Sequence, residues 1–540
     1  MSLIGIITAL APECVLLVGA CAALIVGVAR PEATSRAAAP VALLTVVIAL
    51  VVAWILPVGG EAEILPGIWI TTLSLYTRWI TLAVGVPIIL VNWRQPAEIE
   101  RGEYMALILF SLLGVLLTGL ANDLVVLFFA IELVSVPTYV LIALSRTDVR
   151  ASEASVKYFF LGALSAAILA YGLSFLYGAT GTTTLYALTE GAAESAFRST
   201  SLIQAYAIIG FLLFFAGLAF KIAAVPFHVY AADVYEGAAA PITGLLGFVP
   251  KLAGFVALVK IMAAFDWNLP ASVQWTIWLV AAATMTTGNV LALLQKNVKR
   301  MLAYSSIAHT GYMLVAVLVG PVVGRGPMRD GVAAMLFYIV VYGTMNLGAF
   351  AMLTAFRRGD REIETIEDLG GIARRAPAAA LAFAVCTFSL MGIPPTAGFL
   401  GKIYIFSSAF SFPPAHPMRE AMIVLVVIAI INTAIGAAYY LRIASAAYLG
   451  AESAEVVPAA GAPVRWGLAL CSIPLILLFL RPAPLADRAG EATIVLQDTV
   501  RYDASVASSA PPGDTIDRSR RVLTPVRATA ESSHVHRPEP

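Results

Sequence analysis

Runs of about twenty apolar residues, each long enough to cross roughly 30 Å of hydrocarbon as a helix, recur through the first 480 residues of this chain. Fourteen stand out, near 3–29, 38–57, 69–92, 104–121, 123–144, 156–178, 202–220, 242–264, 272–294, 301–320, 331–356, 376–410, 421–448 and 464–480. The expected fold is an all-α integral membrane protein with about 14 transmembrane helices. The low charge agrees: 60% of residues are hydrophobic and 12% are charged, about half the charge of a soluble chain. The first run has no basic segment ahead of it and is longer than a signal-peptide core, so it reads as a retained span.

Several function classes are excluded. The net charge is +1, which gives no hint of nucleic acid or another polyanion as partner. Cys14, Cys21, Cys386 and Cys471 lie singly in apolar runs, without the spacing of an iron–sulfur cluster or structural zinc. Neither a dinucleotide-binding glycine turn nor a Walker-type loop is present. No cofactor is expected in this chain.

Basic loop residues set orientation. Taking alternate loops, one side collects Arg30, Arg36, Arg94, Arg101, Arg146, Arg150, Lys299, Arg300, Arg357, Arg358, Arg361, Arg374, Arg375 and Arg465; the other holds Arg198, Arg325, Arg329, Arg419 and Arg481. The first side reads as cytoplasmic, which puts both termini outside. Residues 482–540 are rich in Pro, Ser, Ala, Asp and Arg and read as a disordered polar tail.

Charges inside the apolar runs are the strongest functional signal. The chain has seven lysines, and its other 27 basic residues are arginines. Most of those lysines lie in or beside apolar spans. A desolvated lysine can release its proton, whereas arginine stays charged, so a proton relay needs lysine. Lys251 lies about ten residues into the run 242–264, Lys221 ends a run, Lys402 sits in an apolar stretch, and Glu132 is mid-span. An ionisable residue at such depth is by default functional. Lys157 and Lys296 lie near span ends, and Lys260 is one turn from an end. His228 and His309 suit a shuttle that works near neutral pH. Lys299, beside Arg300, reads as a cytoplasmic loop residue.

Two of the runs should be broken. "GIPPTAGFLGK" (392–402) places Pro394 and Pro395 ahead of Lys402, and Lys221 is followed by Pro226. Proline removes a backbone donor and clashes with the preceding turn. In membranes such breaks are tolerated where they face protein or water, and transporters place them in pairs near ion sites. Five spans separate the two breaks. That spacing predicts two inverted five-helix repeats, each with a broken helix. The expected organisation is 1–103 (three helices), 104–264 (first repeat), 265–448 (second repeat), 449–481 (last helix) and 482–540 (tail).

"EASVKYFFLGALSAAILAYGLSFLYGATGT" (153–182), "KIAAVPFHVYAADVYEGAAAPITGLLGFVPKLAG" (221–254), "GNVLALLQKNVKRMLAYSSIAHTGYML" (288–314) and "GIPPTAGFLGK" resemble the subunit N family of proton-pumping NADH–quinone oxidoreductase, respiratory complex I. The resemblance covers about residues 1–480. It implies two proton half-channels joined by a central hydrophilic axis. Glu132 and Lys221 would be the modulating acid–lysine pair, Lys251 the central relay and Lys402 the terminal lysine. Lys157, His228, Lys296 and His309 match auxiliary relay positions. The chain departs from the family at Tyr230, where tryptophan is common, and at Ala232 and Ala239, where prolines are common.

The resemblance also implies partners: other antiporter-like subunits and small subunits of a bacterial plasma-membrane complex, with lipids and protons. NAD, FMN, iron–sulfur clusters and quinone would be held by partner subunits. One alternative is a cation/proton antiporter subunit of an Mrp-type complex, although a lysine at 402 differs from the glutamate usual there. The other is a structural subunit that does not pump, to which a buried charge set would bring nothing.

Overall fold

A computed structural model describes residues 2–493 apart from 29–36, 57–61, 96–100, 147, 186–195, 197–201, 323–325, 360, 413–415, 452–455 and 460. Residues Met1–Thr499 form one compact unit. The remainder, Val500–Pro540, lies outside the described residues.

Nineteen named helices follow one another. They are α1 (Leu3–Ala9), α2 (Ala11–Val28), α3 (Ala38–Ile55), α4 (Thr72–Val91), α5 (Arg101–Leu120), α6 (Leu124–Ser145), α7 (Val149–Thr180), α8 (Leu202–Lys221), α9 (Val229–Gly237), α10 (Ala240–Leu246), α11 (Val249–Ala264), α12 (Ala271–Leu293), α13 (Val298–Val319), α14 (Gly331–Ala355), α15 (Ile372–Arg375), α16 (Pro377–Met391), α17 (Ala397–Ser408), α18 (Arg419–Leu449) and α19 (Ala462–Leu480). Among the described residues, 13 spans are long and apolar enough to cross a membrane by themselves, counting α10 and α11 as one. The broken pair α16–α17 supplies the fourteenth. Two small antiparallel sheets decorate the ends: β1 (Ala62–Leu65) with β2 (Ile68–Ile70), and β3 (Phe356–Arg358) between β4 (Arg361–Glu362) and β5 (Val456–Pro458).

Local chemistry explains the helix ends. Asp123, Asp148, Asn297 and Asp330 accept hydrogen bonds from first-turn amides of α6, α7, α13 and α14, the usual use of short polar side chains at an N-cap. Gly392 closes α16 in the left-handed region, at φ 84°, where a Cβ would be strained.

Packing divides the bundle into an inside and an outside. The hydrophobic window of 240–264 is 100% buried, and α13 and α14 follow at 89% and 94%. The windows of α3, α7, α18 and α19 are each 33% buried, as expected of helices that turn one face to lipid. The central helices are the ones that carry Lys251 and His309.

The structure departs from the expected elements in four places. The run 3–29 is two helices, separated at Leu10. The run 242–264 is interrupted at Gly247–Phe248, because Pro250 at the start of α11 has no amide to donate back. Helix α13 begins at Val298, so Lys299 is inside a helix, not in a loop. Residues 483–493, expected to be tail, are helical, and Ala486, Ala489 and Ala492 are buried. The rest of the expected tail, 494–540, lies outside the described residues.

Candidate functional site

The first break follows Lys221, the last residue of α8. Ala223 takes the left-handed region at φ 57°, and the chain turns into α9 within seven residues. Side-chain hydroxyls satisfy the freed backbone groups. Thr284 Oγ1 accepts from the Val225 amide at 3.0 Å, and Thr310 Oγ1 donates to the Ile222 carbonyl at 2.7 Å. Lys221 Nζ donates to Glu132 Oε1 at 2.9 Å, Ser135 Oγ at 2.8 Å and the Tyr139 hydroxyl at 3.3 Å. Glu132, Ser135 and Tyr139 share one face of α6 at helical spacing. The expected acid–lysine pair is therefore formed, and Ser135 and Tyr139 join it.

A cavity of about 10 Å³ lies between Lys221 and Lys251, walled by Tyr158, Tyr230, Tyr235 and Pro250. That is roughly room for one water. Lys251 Nζ donates to Thr310 Oγ1 at 2.8 Å and to the Ser306 carbonyl. Thr310 thus touches both Lys251 and the backbone of the first break. The Ser306 hydroxyl accepts from Tyr342 at 2.7 Å and lies 3.3 Å from the Tyr235 hydroxyl.

His309 sits on the same helix. Its Nδ1 is 2.6 Å from the Tyr338 hydroxyl and its Nε2 is 3.0 Å from that of Tyr440. Tyr440 in turn hydrogen-bonds Ser305. One turn further along α13, the ring of Tyr312 lies 5.0 Å from Lys402 Nζ. Lys402 donates to the carbonyls of Leu390 at 3.3 Å and Met391 at 2.9 Å, the last residues of α16. The second break thus exposes helix-end carbonyls, which carry partial negative charge, and the ammonium caps them. A Cβ on Gly392 would stand 2.8 Å from Lys402 Cδ, so glycine makes room for the lysine as well as for the turn.

The other expected positions divide. His228 is half-buried at the start of α9, and its Nδ1 has no hydrogen-bond partner. Lys157 is 43% exposed and bridges Glu153 at 2.7 Å and Asp233 at 3.1 Å. Lys296 is exposed beyond the end of α12, apart from the buried line. Lys260 donates to the Ala121 carbonyl at 2.8 Å.

Two charged groups were missed in the sequence. Lys299 is fully buried, donates to the Ala238 carbonyl at 2.9 Å and lies 3.4 Å from Glu362 Oε2. Glu362 also accepts from the Ala240 amide at 3.1 Å, capping α10, and Arg146 reaches Glu364 at 3.4 Å. Loops after α6, α12 and α14 therefore meet at one end of the bundle, as alternate loops must. Asp368 anchors that region. Burial opposes its charge, but the Thr365 and Glu364 amides and the Arg358 guanidinium outweigh burial and hold its carboxyl below the usual range. The second group is the buried pair Glu13–Arg78, 2.6 Å apart. Arg78 also donates to the Ala9 carbonyl at 3.0 Å, which ties down the joint between α1 and α2. The sequence signal for Glu13 and Arg78 was an acid and a base within apolar runs, whereas Lys299 stands in a polar stretch between two runs.

Among the described residues, no group of three or more His, Cys, Asp or Glu side chains is placed to hold a metal ion. The described groups form a line of titratable side chains and hydroxyls between the two breaks.

Residues 121–436 match the family described as "NADH:quinone oxidoreductase/Mrp antiporter, TM". NADH-quinone oxidoreductase subunit N of Methylobacterium nodulans is 36% identical over 488 residues, covering 89% of this chain and 96% of that protein. Subunit N 2 of Roseiflexus castenholzii is 35% identical, covering 86% and 92%. A chain of respiratory complex I from Thermus thermophilus superposes with a TM-score of 0.71 at 29% identity, covering 88% of this chain and 98% of that one. A chain of the Mrp complex from a Dietzia species shares the fold, with a TM-score of 0.74 at 21% identity and coverage of 92% and 99%. On the family match and the extent of its relatives, the chain belongs to the subunit N family of NADH-quinone oxidoreductase.

Proposed function

We propose that this chain is a proton-translocating membrane-arm subunit of a respiratory NADH–quinone oxidoreductase, and that Glu132, Lys221, Lys251, His309 and Lys402 carry the protons. The observation that supports this most is the series of carriers and hydroxyls, nearly all buried, that runs from Glu132 to Lys402 through hydrogen bonds, ring contacts and one water-sized cavity. NAD, FMN, iron–sulfur clusters and quinone belong to partner subunits in this reading. The partners are further antiporter-like and small membrane subunits, and lipids surround the outer helices. The location is a bacterial plasma membrane, with both termini on the outer side, as the loop arginines suggest. Segments 104–264 and 265–448 act as two half-channels, related as inverted repeats, with 1–103 and 449–481 flanking them.

The steps follow from electrostatics. While Glu132 lies against Lys221, its charge stabilises the ammonium. Drawing the carboxylate away leaves a positive charge in a poorly solvated site, which favours passing the proton on. The small cavity and Thr310 connect Lys221 to Lys251. The Ser306 and Tyr342 hydroxyls, His309 with Tyr338 and Tyr440, and then Tyr312 lead to Lys402. Moving one charge against 100 mV takes about 2.3 kcal/mol, and one pKa unit is about 1.4 kcal/mol. Coupled shifts of a few units are therefore of the right size. His228 lies at the first break and serves uptake; Lys157 and Lys296, nearer solvent, serve as auxiliary groups. The cation/proton antiporter reading has less support, because the Mrp chain shares only the fold at 21% identity, while relatives named subunit N are 35–36% identical over a similar extent.

The test is Lys251→Met in the assembled complex, reconstituted into vesicles, with quinone reduction and proton movement measured together. Proton translocation should fall at least roughly tenfold per assembled complex, since a central carrier is removed. Wild-type pumping in this variant would sink the reading.

A further inference from the structure

We propose that Asp233 is a positioning residue for the Lys221–Lys251 step, clamping α9 so that the water-sized cavity between those lysines keeps its shape. The inference rests on the proton-relay reading above and adds the element that holds the relay's narrowest point.

Helix α9 has nine residues, too few to be stable without tertiary support. Its two faces do different things. One face presents Tyr230 and Tyr235 to the cavity beside Lys221 and Lys251. Tyr230 donates to the Phe220 carbonyl at 2.8 Å, and Tyr235 reaches Ser306, whose carbonyl receives Lys251. The other face presents Asp233 and Glu236 to a separate polar cavity of about 310 Å³.

Asp233 divides its two oxygens between two neighbouring helices. Oδ2 accepts from Lys157 Nζ of α7 at 3.1 Å, and Oδ1 accepts from Arg300 Nη1 of α13 at 2.8 Å. Arg300 precedes Ser306 by six residues on the same helix, about 9 Å along its axis. The Asp233–Arg300 and Tyr235–Ser306 contacts therefore pin α9 to α13 at two levels, and Lys157 pins it to α7. If Asp233 lets go, the Glu236–Arg300 and Tyr235–Ser306 contacts still hold α9 to α13, but α9 can shift relative to α7, whose Tyr158 walls the cavity. A cavity with room for one water has no slack to absorb that shift.

The same geometry says that the charge can be removed without leaving an orphan. Lys157 keeps Glu153 at 2.7 Å, and Arg300 keeps Glu236 at 2.7 Å. A carboxylate kept only to balance charge would be redundant here. What Asp233 alone supplies is the ionic tie from α7 to α9, and Tyr158, next to Lys157 on α7, walls the same cavity.

The experiment uses the intact complex with Asp233→Asn, Asp233→Glu, Tyr235→Phe and Lys251→Met, each normalised to assembled enzyme. The readouts are quinone reductase turnover, proton translocation and the solvent deuterium isotope effect. Asp233→Asn should lower turnover by up to about tenfold, less than the ~100-fold that a misplacement of about 1 Å can cost. It should also raise the isotope effect, because the water-mediated step then limits the rate. Asp233→Glu should restore both. In the Lys251→Met background, Asp233→Asn should add nothing, since both act on one step. Assembled Asp233→Asn enzyme with normal turnover and a normal isotope effect overturns the proposal. Should that variant fail to assemble, Tyr235→Phe decides, and an unchanged isotope effect there overturns it as well. A silent Asp233→Asn beside a crippled Lys251→Met removes only this inference; a silent Lys251→Met removes the relay reading beneath it.

Discussion

The breaks at 222–228 and 392–396 each lie beside a buried lysine, but the two lysines are held differently. Lys221 faces a carboxylate on another helix, Glu132, whose side chain is 17% exposed. Lys402 faces no carboxylate among the described residues; it caps the carbonyls of Leu390 and Met391. The backbone of the breaks differs in parallel. Ala223 takes the left-handed region in the first, at a cost of about 1–2 kcal/mol, where the second uses Gly392. The first half therefore holds its proton with a partner that can move or be neutralised. The second holds it with helix-end dipoles that cannot. In the proposed relay, a field from a neighbouring subunit would change the first directly and reach the second only through the protons passed along.

The sharpest way to break this comparison is Lys402→Arg. A guanidinium can satisfy the same carbonyls and keep the positive charge, so the static role of Lys402 survives. It cannot release a proton near neutral pH, because its pKa stays above about 12. Pumping should fall on the order of tenfold or more while the complex assembles. Near-normal proton movement would show that a fixed charge is enough in the second half.

A smaller effect is expected from Glu132→Gln. The amide is nearly isosteric, and Ser135 and Tyr139 still receive Lys221, so the ammonium is not abandoned. What is lost is the switchable charge. Pumping should fall several-fold, and the normal response of turnover to the applied membrane potential should flatten. If Glu132→Gln pumps like wild type with the same voltage response, the first half is no more switchable than the second.

Much of this arrangement was legible in the sequence because membranes punish charge. Glu132, Lys221, Lys251 and Lys402 each break an apolar run, and each is where that rule places it. The breaks at 222–228 and 392–396 announced themselves through Pro226, Pro394 and Pro395. The break before Lys251 did not, although Pro250 was in view, because a single proline inside an apolar run is also compatible with a kinked continuous helix. Lys299 was misplaced for a different reason. Its neighbour Arg300 and the polar stretch "QKNVKR" (295–300) suggested a loop, while Asn297 caps a helix one residue later and turns Lys299 inward against Glu362. The hydroxyl network of Ser306, Thr310, Tyr338, Tyr342 and Tyr440 was illegible. Such residues are common in helices, and only the packing of α13 against α14 and α18 brings them together.

The mildest prediction concerns a contact that the first half lacks. The helical stretch 483–493 docks at the N-terminal end of α14, where Thr493 donates to Asp330 Oδ2 at 2.8 Å in a buried site. Asp330 meanwhile caps α14 through the Ala333 amide at 2.8 Å. Met328, two residues earlier, lies 3.6 Å from Ser407 near the end of α17. The 483–493 stretch thus braces the end of the helix that carries Lys402, and among the described residues none of its hydrogen bonds reaches the surroundings of Lys221. Thr493→Val keeps shape and removes the donor, leaving one carboxylate oxygen short of a partner. That should cost about 1–3 kcal/mol locally and leave Asp330 to cap α14 as before. Faster amide hydrogen exchange is expected in 483–493 and at the start of α14, with exchange around 222–228 unchanged. Turnover should fall less than twofold or so, because the relay groups themselves keep their partners. Ending the chain after about residue 485 should reproduce the exchange pattern more strongly, whereas ending it after Thr493 should not. If both truncations behave alike, the 483–493 helix is no brace, and the second half is held by its backbone alone.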